Sequence, residues 1–192
     1  MKKVGVLALQ GDFAAHMRAL ERAGAKAVPV RTASDLDDLD GLVIPGGEST
    51  TMLKLLNLEK MVEPLVDFGR RRPIFGTCAG AILLASAVSN PSQQSLGLMD
   101  ITVERNGYGR QIDSHVTRPE PDAEFQKRTG PGDLEVVFIR APIIRHVPPQ
   151  ARVLASYEGD PVLVEQGRHL AATFHPELTA DSRVHDLFLS KL

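Results

Sequence analysis

The chain has 192 residues, 43% of them apolar and 24% charged, with a formal net charge of −2 at pH 7. That length fits one domain with a sizeable core, and the near balance of charge gives no electrostatic case for nucleic acid or an acidic membrane. No apolar run approaches a membrane span, and the single cysteine excludes an intramolecular disulfide and makes a reducing cytoplasm the expected compartment.

Val4 to Leu9 is an apolar run that breaks at Gln10-Gly11-Asp12 without a cleavage-site pattern, so it reads as a first strand and not as a signal peptide. Asp12 to Ala23 reads as a helix, with Phe13, Met17 and Leu20 near one face and Gly24 ending it. Ala27 to Val30 is a second strand. The acidic cluster Asp35, Asp37, Asp38 and Asp40 reads as a solvated loop before a third strand, Leu42 to Pro45, which leads into Gly46-Gly47. Ser49 or Thr50 is expected to cap a helix starting near Thr51, and Pro64 to open another that ends at Arg70-Arg71-Arg72, where cations complement the helix dipole. Next comes the short apolar run Pro73-Ile74-Phe75, then Gly76-Thr77-Cys78-Ala79-Gly80, then helix formers from Ala81 to Ala85. This alternation of strand and helix implies a parallel sheet covered on both faces.

The second half changes character. Asp100 to Glu104, Gln111 to Thr117, Leu134 to Ile139, Arg152 to Tyr157, Val162 to Glu165 and Leu170 to Phe174 are strand candidates with few helices between them. Some should therefore pair as antiparallel hairpins, with turns at Glu158-Gly159-Asp160-Pro161 and Gln166-Gly167. Pro119 to Gly132 is polar, carries several Pro and Gly, and reads as an exposed loop; Asp181 to Leu192 reads as a closing helix. The expected architecture is α/β: a three-layer sandwich formed by one domain over residues 1–192, with a mostly parallel central sheet and antiparallel strands in its C-terminal half.

The chemistry centres on Cys78. G-x-C-x-G between a strand and a helix is the thiol form of the nucleophile elbow, in which glycines permit a sharp turn that lifts the central side chain above the sheet. The helix after it aims its N-terminal amides at whatever the sulfur attacks and favours the thiolate. Of the six histidines, His175 is the candidate base, because it comes after the strand Ala171-Ala172-Thr173-Phe174 and so lies at a strand's C-terminal end. Glu177, two residues on, can hold the second ring nitrogen. Backbone N–H groups of Gly47 and Ala79 could hold an oxyanion. Thiolate, base and two donors describe acyl transfer to cysteine followed by hydrolysis. His16, His115, His146, His169 and His185 have no ligand-like spacing, so neither metal nor cofactor is expected.

With these residues in place the chain resembles the class I, triad-type glutamine amidotransferases, and within them the glutaminase subunits of pyridoxal 5′-phosphate synthase. The matching stretches are Leu7-Ala8-Leu9-Gln10-Gly11-Asp12, Pro45-Gly46-Gly47-Glu48-Ser49-Thr50-Thr51, Phe75-Gly76-Thr77-Cys78-Ala79-Gly80, Val103-Glu104-Arg105-Asn106 with Gly109-Arg110-Gln111, Phe138-Ile139-Arg140-Ala141-Pro142, and Phe174-His175-Pro176-Glu177-Leu178. The elbow and His-Pro-Glu mark the broad class; Gly-Gly-Glu-Ser-Thr with Phe-Ile-Arg-Ala-Pro is more specific to the vitamin B6 branch. The resemblance implies hydrolysis of L-glutamine to glutamate and ammonia. It implies that Gly47, Glu48 and Ser49 line the glutamine site, and that Arg105 and the Ile139-Arg140 segment fix the amino-acid end. It also implies a (β/α)₈ synthase partner in a large hetero-oligomer, which would join the ammonia to ribose 5-phosphate and glyceraldehyde 3-phosphate, and a glutaminase weak or silent until docked. A glutaminase of histidine or purine synthesis is the alternative.

Overall fold

The computed structural model describes residues 1–106 and 114–192. The first half runs β1 (Lys3–Leu7), α1 (Phe13–Arg22), β2 (Lys26–Val30), β3 (Gly41–Ile44), α2 (Ser49–Leu58), α3 (Val62–Arg71), β4 (Ile74–Thr77) and α4 (Ala79–Leu84). The second half runs β5 (Ala85–Ser89), β6 (Met99–Glu104), β7 (His115–Thr117), α5 (Ala123–Thr129), β8 (Val136–Phe138), β9 (Ile143–His146), β10 (Arg152–Tyr157), β11 (Asp160–Gln166), β12 (His169–Ala172) and α6 (Arg183–Leu189). No helix among the described residues is long and apolar enough to cross a membrane.

Seven strands form the central sheet in the order β10-β11-β12-β4-β3-β1-β2. The run from β12 to β2 is parallel, and β11 and β10 join it as antiparallel hairpins. Successive side chains of a strand point to opposite faces. Val4, Val6, Val43 and Phe75 thus enter one core with Leu20, Phe125 and Phe188, while Leu7, Leu42, Ile44 and Ile74 enter the other with Met52, Leu56, Leu65 and Leu83. Helices α1, α5 and α6 cover the first face; α2, α3 and α4 cover the second. From β1 the chain goes to β2 on one side and then to β3 on the other, so the strand order reverses between β1 and β3, the position where open α/β sheets place their sites. The expected sandwich is the observed one. Two small sheets, β5-β6-β9 and β7-β8, are added beside it.

Several local expectations are corrected. Helix α2 starts at Ser49 and is capped by Glu48, whose carboxylate accepts from Thr50 N and Thr51 N, so the cap lies one residue before Ser49. Helix α3 starts at Val62, two residues before Pro64; a first-turn proline loses no intrahelical bond, so it can sit inside the start. The inward stripe of α1 is Ala15, His16, Ala19 and Leu20, while Phe13 and Met17 lie only half-buried at its margin. Strands β5 and β9 fall where no strand was expected. The segment from Pro119 to Gly132 is not all loop: Asp122 accepts from Phe125 N at 2.7 Å, capping α5, and Phe125 is fully buried. The Arg183 guanidinium fastens the turn after α5, donating to the carbonyls of Gly130, Pro131, Gly132 and Asp133 while paired with Asp181 at 2.8 Å. The expected strand at Gln111 to Thr117 lies partly outside the described residues, as does the Gly109-Arg110-Gln111 motif; its described end forms β7.

Candidate active site

The C-terminal ends of β1, β3, β4 and β12 meet around a cavity of about 600 Å³. Its wall includes Gly46 and Gly47 after β3, Cys78 after β4, and His175 after β12. Strand β12 pairs in parallel with β4, Ala172 opposite Thr77, and Cys78 N donates to Ala172 O at 2.8 Å. That register brings two residues almost a hundred positions apart in the chain to one edge of the sheet.

Cys78 sits at φ 51 and ψ −106, a left-handed conformation that a side chain adopts at a cost of roughly 1–3 kcal/mol. The strain is the mark of the elbow, and the glycine at position 80 permits it, since a Cβ there would run into the Ile44 carbonyl. The residue is 7% exposed and opens onto the cavity. Its sulfur has two options. As a thiol it can donate to the Ile139 carbonyl oxygen, 3.9 Å away; as a thiolate it can accept from His175. Ala79 is the first residue of α4, where backbone amides have no intrahelical acceptor.

His175 Nδ1 lies 2.7 Å from Glu177 Oε1. Burial works against a charged imidazole here, but hydrogen bonds and opposite charge from Cys78 and Glu177 outweigh it and push the pKa up to about 10. The ring therefore favours its protonated form, which can donate to the Cys78 sulfur. Close packing fixes the ring: a Cβ on Gly46 would stand 2.5 Å from His175 Cε1. The Glu177 side chain has no exposed surface, and its second oxygen, Oε2, lies 3.2 Å from Nε2 of His16, within ion-pair range though off the line of an aligned hydrogen bond.

The remaining expected residues divide into those that face the cavity freely and those tied to neighbours. Gly47, Glu48, Ser49, Arg105, Ile139 and Arg140 all line it, and Ala79 lies beside Cys78, buried. Glu48 opposes burial with hydrogen bonds from Thr51 and Thr50, which pull its pKa down to about 2. It also pairs with Arg105 at 3.2 Å, while Arg105 donates to Thr50 Oγ1 at 2.9 Å. Ser49 Oγ donates to Gln93 Oε1 at 3.0 Å. Arg140 is exposed at φ 47, adjoining Ile139. Among the described residues Asp12, Gly46, Ile82, Asn106, Ser114 and Leu178 also line the cavity and were not among the expected site residues. Gln10 is another omission: its Oε1 accepts from Glu48 N at 3.1 Å and so braces the Gly-Gly turn. Of the five other histidines, His115 and His146 lie at the surface and His169 Nδ1 accepts from Ile74 N at 3.1 Å. His16 and His185 are buried against each other.

Comparison with known proteins shows the family and the fold. A profile of the SNO glutamine amidotransferase family matches residues 6–192. A pyridoxal 5′-phosphate synthase subunit PdxT of Solibacter usitatus (strain Ellin6076) is 65% identical over 192 residues, all of both chains. The subunit PdxT of Koribacter versatilis (strain Ellin345) is 55% identical over 97% of this chain and 94% of its own. A crystal structure of a glutamine amidotransferase superposes with a TM-score of 0.88 at 43% identity, covering 98% of this chain and 97% of that one. With a profile match across nearly its whole length and full-length relatives at this identity, the chain belongs to the SNO glutamine amidotransferase family.

Proposed function

We propose that residues 1–192 act as a single glutaminase domain that hydrolyses the side-chain amide of L-glutamine and delivers the ammonia to a (β/α)₈ synthase subunit. That subunit would make pyridoxal 5′-phosphate from ribose 5-phosphate and glyceraldehyde 3-phosphate, within a large hetero-oligomer in the cytoplasm. The observation that carries the chemistry is a strained cysteine facing an imidazole that a carboxylate holds at 2.7 Å. The full-length likeness to PdxT subunits supports the pathway.

In this reading the Cys78 thiolate attacks the amide carbon, and the oxyanion that forms is held by the N–H groups of Gly47 and Ala79. The His175 imidazolium gives its proton to the departing nitrogen, ammonia leaves, and a thioester remains on Cys78. His175, now neutral, takes a proton from water as the water attacks the thioester; glutamate departs and the thiolate–imidazolium pair returns. Arg105 and Arg140 flank the cavity where the α-carboxylate of glutamine would lie, with Arg105 already oriented by Glu48 and Thr50. Glutamate release is measured with the chain alone and with the synthase subunit added. Turnover that appears or rises on docking and is lost in Cys78→Ala is expected; turnover surviving in Cys78→Ala would remove the nucleophile, and stoichiometric association with a different synthase would remove the pathway.

A further inference from the structure

Behind Glu177, away from the cavity, lies a cluster that the triad chemistry leaves unused. His16 is completely buried. Its Nε2 lies 3.2 Å from Glu177 Oε2 and 3.0 Å from Thr77 Oγ1; its Nδ1 lies 3.1 Å from His185 Nε2. Phe75 stands edge-on to both rings, at 6.3 Å from His16 and 5.9 Å from His185. Glu177 Oε1 is taken by His175, so the only titratable side chain placed at Oε2 among the described residues is His16.

A carboxylate oxygen at 3.2 Å repels a lone pair, so we assign the hydrogen of His16 to Nε2, where it points to Thr77 Oγ1 and lies beside Glu177 Oε2 without an aligned hydrogen bond to it. Nδ1 is then an acceptor, and His185 must donate to it through its own Nε2–H. Burial first, then the neighbouring His185 and His175, hold the His16 pKa well below its ordinary value, and burial followed by Arg22 brings His185 down to about 4. Both rings are therefore neutral near pH 7, and the His16 N–H dipole lies beside Glu177 without a competing positive charge.

We propose that His16 is a positioning residue, which keeps the Glu177 carboxylate in line with His175 by the electrostatic pull of its Nε2–H dipole on Oε2 at 3.2 Å, while His185 fixes its tautomer. The inference rests on the triad reading of Cys78, His175 and Glu177. It adds a support from helix α1 that no motif of the site contains. A carboxylate with a single partner can swing about its Cγ–Cδ bond; one whose second oxygen also faces a fixed N–H dipole at 3.2 Å swings less, and the imidazole that it orients keeps its line to the sulfur.

The test compares His16→Met with His16→Gln, two side chains of similar length of which only glutamine can place an N–H donor where Nε2 stood. In the docked complex, His16→Met should lower kcat roughly ten- to a hundredfold, the usual loss when the partner of a working group is removed, with KM little changed. His16→Gln should recover most of that loss. Alkylation of Cys78 by iodoacetamide in the isolated chain should show the same order, slow in His16→Met and largely restored in His16→Gln. Because alkylation needs no glutamine turnover, it reads the support of His175 even if the glutaminase reading were to fail. If His16→Met does not fold, His185→Phe leaves His16 in place but frees its tautomer, and kcat should still fall severalfold. Parent-like kcat and alkylation in His16→Met, or in His185→Phe where that variant is used, would overturn the inference. So would equal losses in His16→Met and His16→Gln when both unfold at the parent's temperature, since His16 would then only fill space.

Discussion

The two sides of His175 are built on opposite principles. In front, toward Cys78, the wall is open and irregular: Gly47, Glu48 and Arg140 are exposed, and both Cys78 and Arg140 sit at positive φ. Behind, toward Glu177, nothing is open. Glu177, His16, Thr77 and His185 are all buried and packed against one another, with Phe75 edge-on to both imidazole rings. A reacting group needs access on the side where substrate and water arrive and immobility on the side where its orientation is set. The backbone strain is concentrated on the open side, and the buried polar cluster, including the one Glu177 oxygen without an aligned hydrogen bond, on the closed one.

The sharpest break in that contrast is Cys78→Ala, which removes the front entirely. It should lower kcat on the order of 10⁵-fold or more, measured as glutamate release in the docked complex. Glu177→Gln attacks the back. An amide cannot turn an oxygen to both His175 Nδ1 and His16 Nε2, so one N–H must face another, and a loss of about 10²–10⁴ in kcat is expected from the parallel with triad carboxylates. A loss below tenfold would mean that the buried side contributes little. Gly46→Ala tests the seam between the two: its Cβ would meet His175 Cε1 at 2.5 Å and displace the ring, for roughly a 10²-fold fall in kcat with the fold intact by circular dichroism.

Acid should unfold the molecule through its buried histidines. Burial leads the lowering of His185 and His169 to about 4, whereas unfolded histidines titrate near 6.5. The unfolded state then binds more protons, so stability falls as pH drops from about 6.5 to about 4, on the order of 1–3 kcal/mol per group. His175 has the opposite sign. Its pKa is raised, so its contribution is complete below about 6.5 and disappears as pH rises through about 10. Chemical denaturation in steps from pH 7 to pH 4 checks the first slope, and His185→Phe should flatten it. The smallest effect belongs far from either side: Arg70→Ala breaks an ion pair with Asp67 whose members are 70% and 63% exposed, and should change stability by less than about 0.5 kcal/mol.

The front of the site was legible in the sequence and the back was not, for a physical reason. Cys78, Gly47 and the His175–Glu177 spacing announce themselves because glycines and a Pro after a histidine have few other uses at strand ends. His16 carries no such mark. It is one residue of a helix whose inner stripe is otherwise Ala15, Ala19 and Leu20, and placing Phe13 and Met17 on that stripe leaves His16 outside. A histidine at helical spacing with two alanines and a leucine was the available signal. Helix α5 was hidden by the Pro and Gly on either side of it, although Asp122 three residues before Phe125 is a cap. Strand β5, Ala-Ser-Ala-Val-Ser, has little β-propensity of its own and exists because Val88 and its neighbours pair with β6. The parallel sheet was clear throughout because buried strands read as unbroken apolar runs.

Strand β12 sits between β4 and β11 in the middle of the sheet, yet it is the final strand to leave the ribosome. Until residues 169–172 arrive, β4 has an open flank and Cys78 lacks the Ala172 carbonyl that its amide bonds. The carbonyl that bonds the Cys78 amide and, three residues on, the imidazole of His175 thus reach the sheet edge on one segment, the same one that closes the sheet.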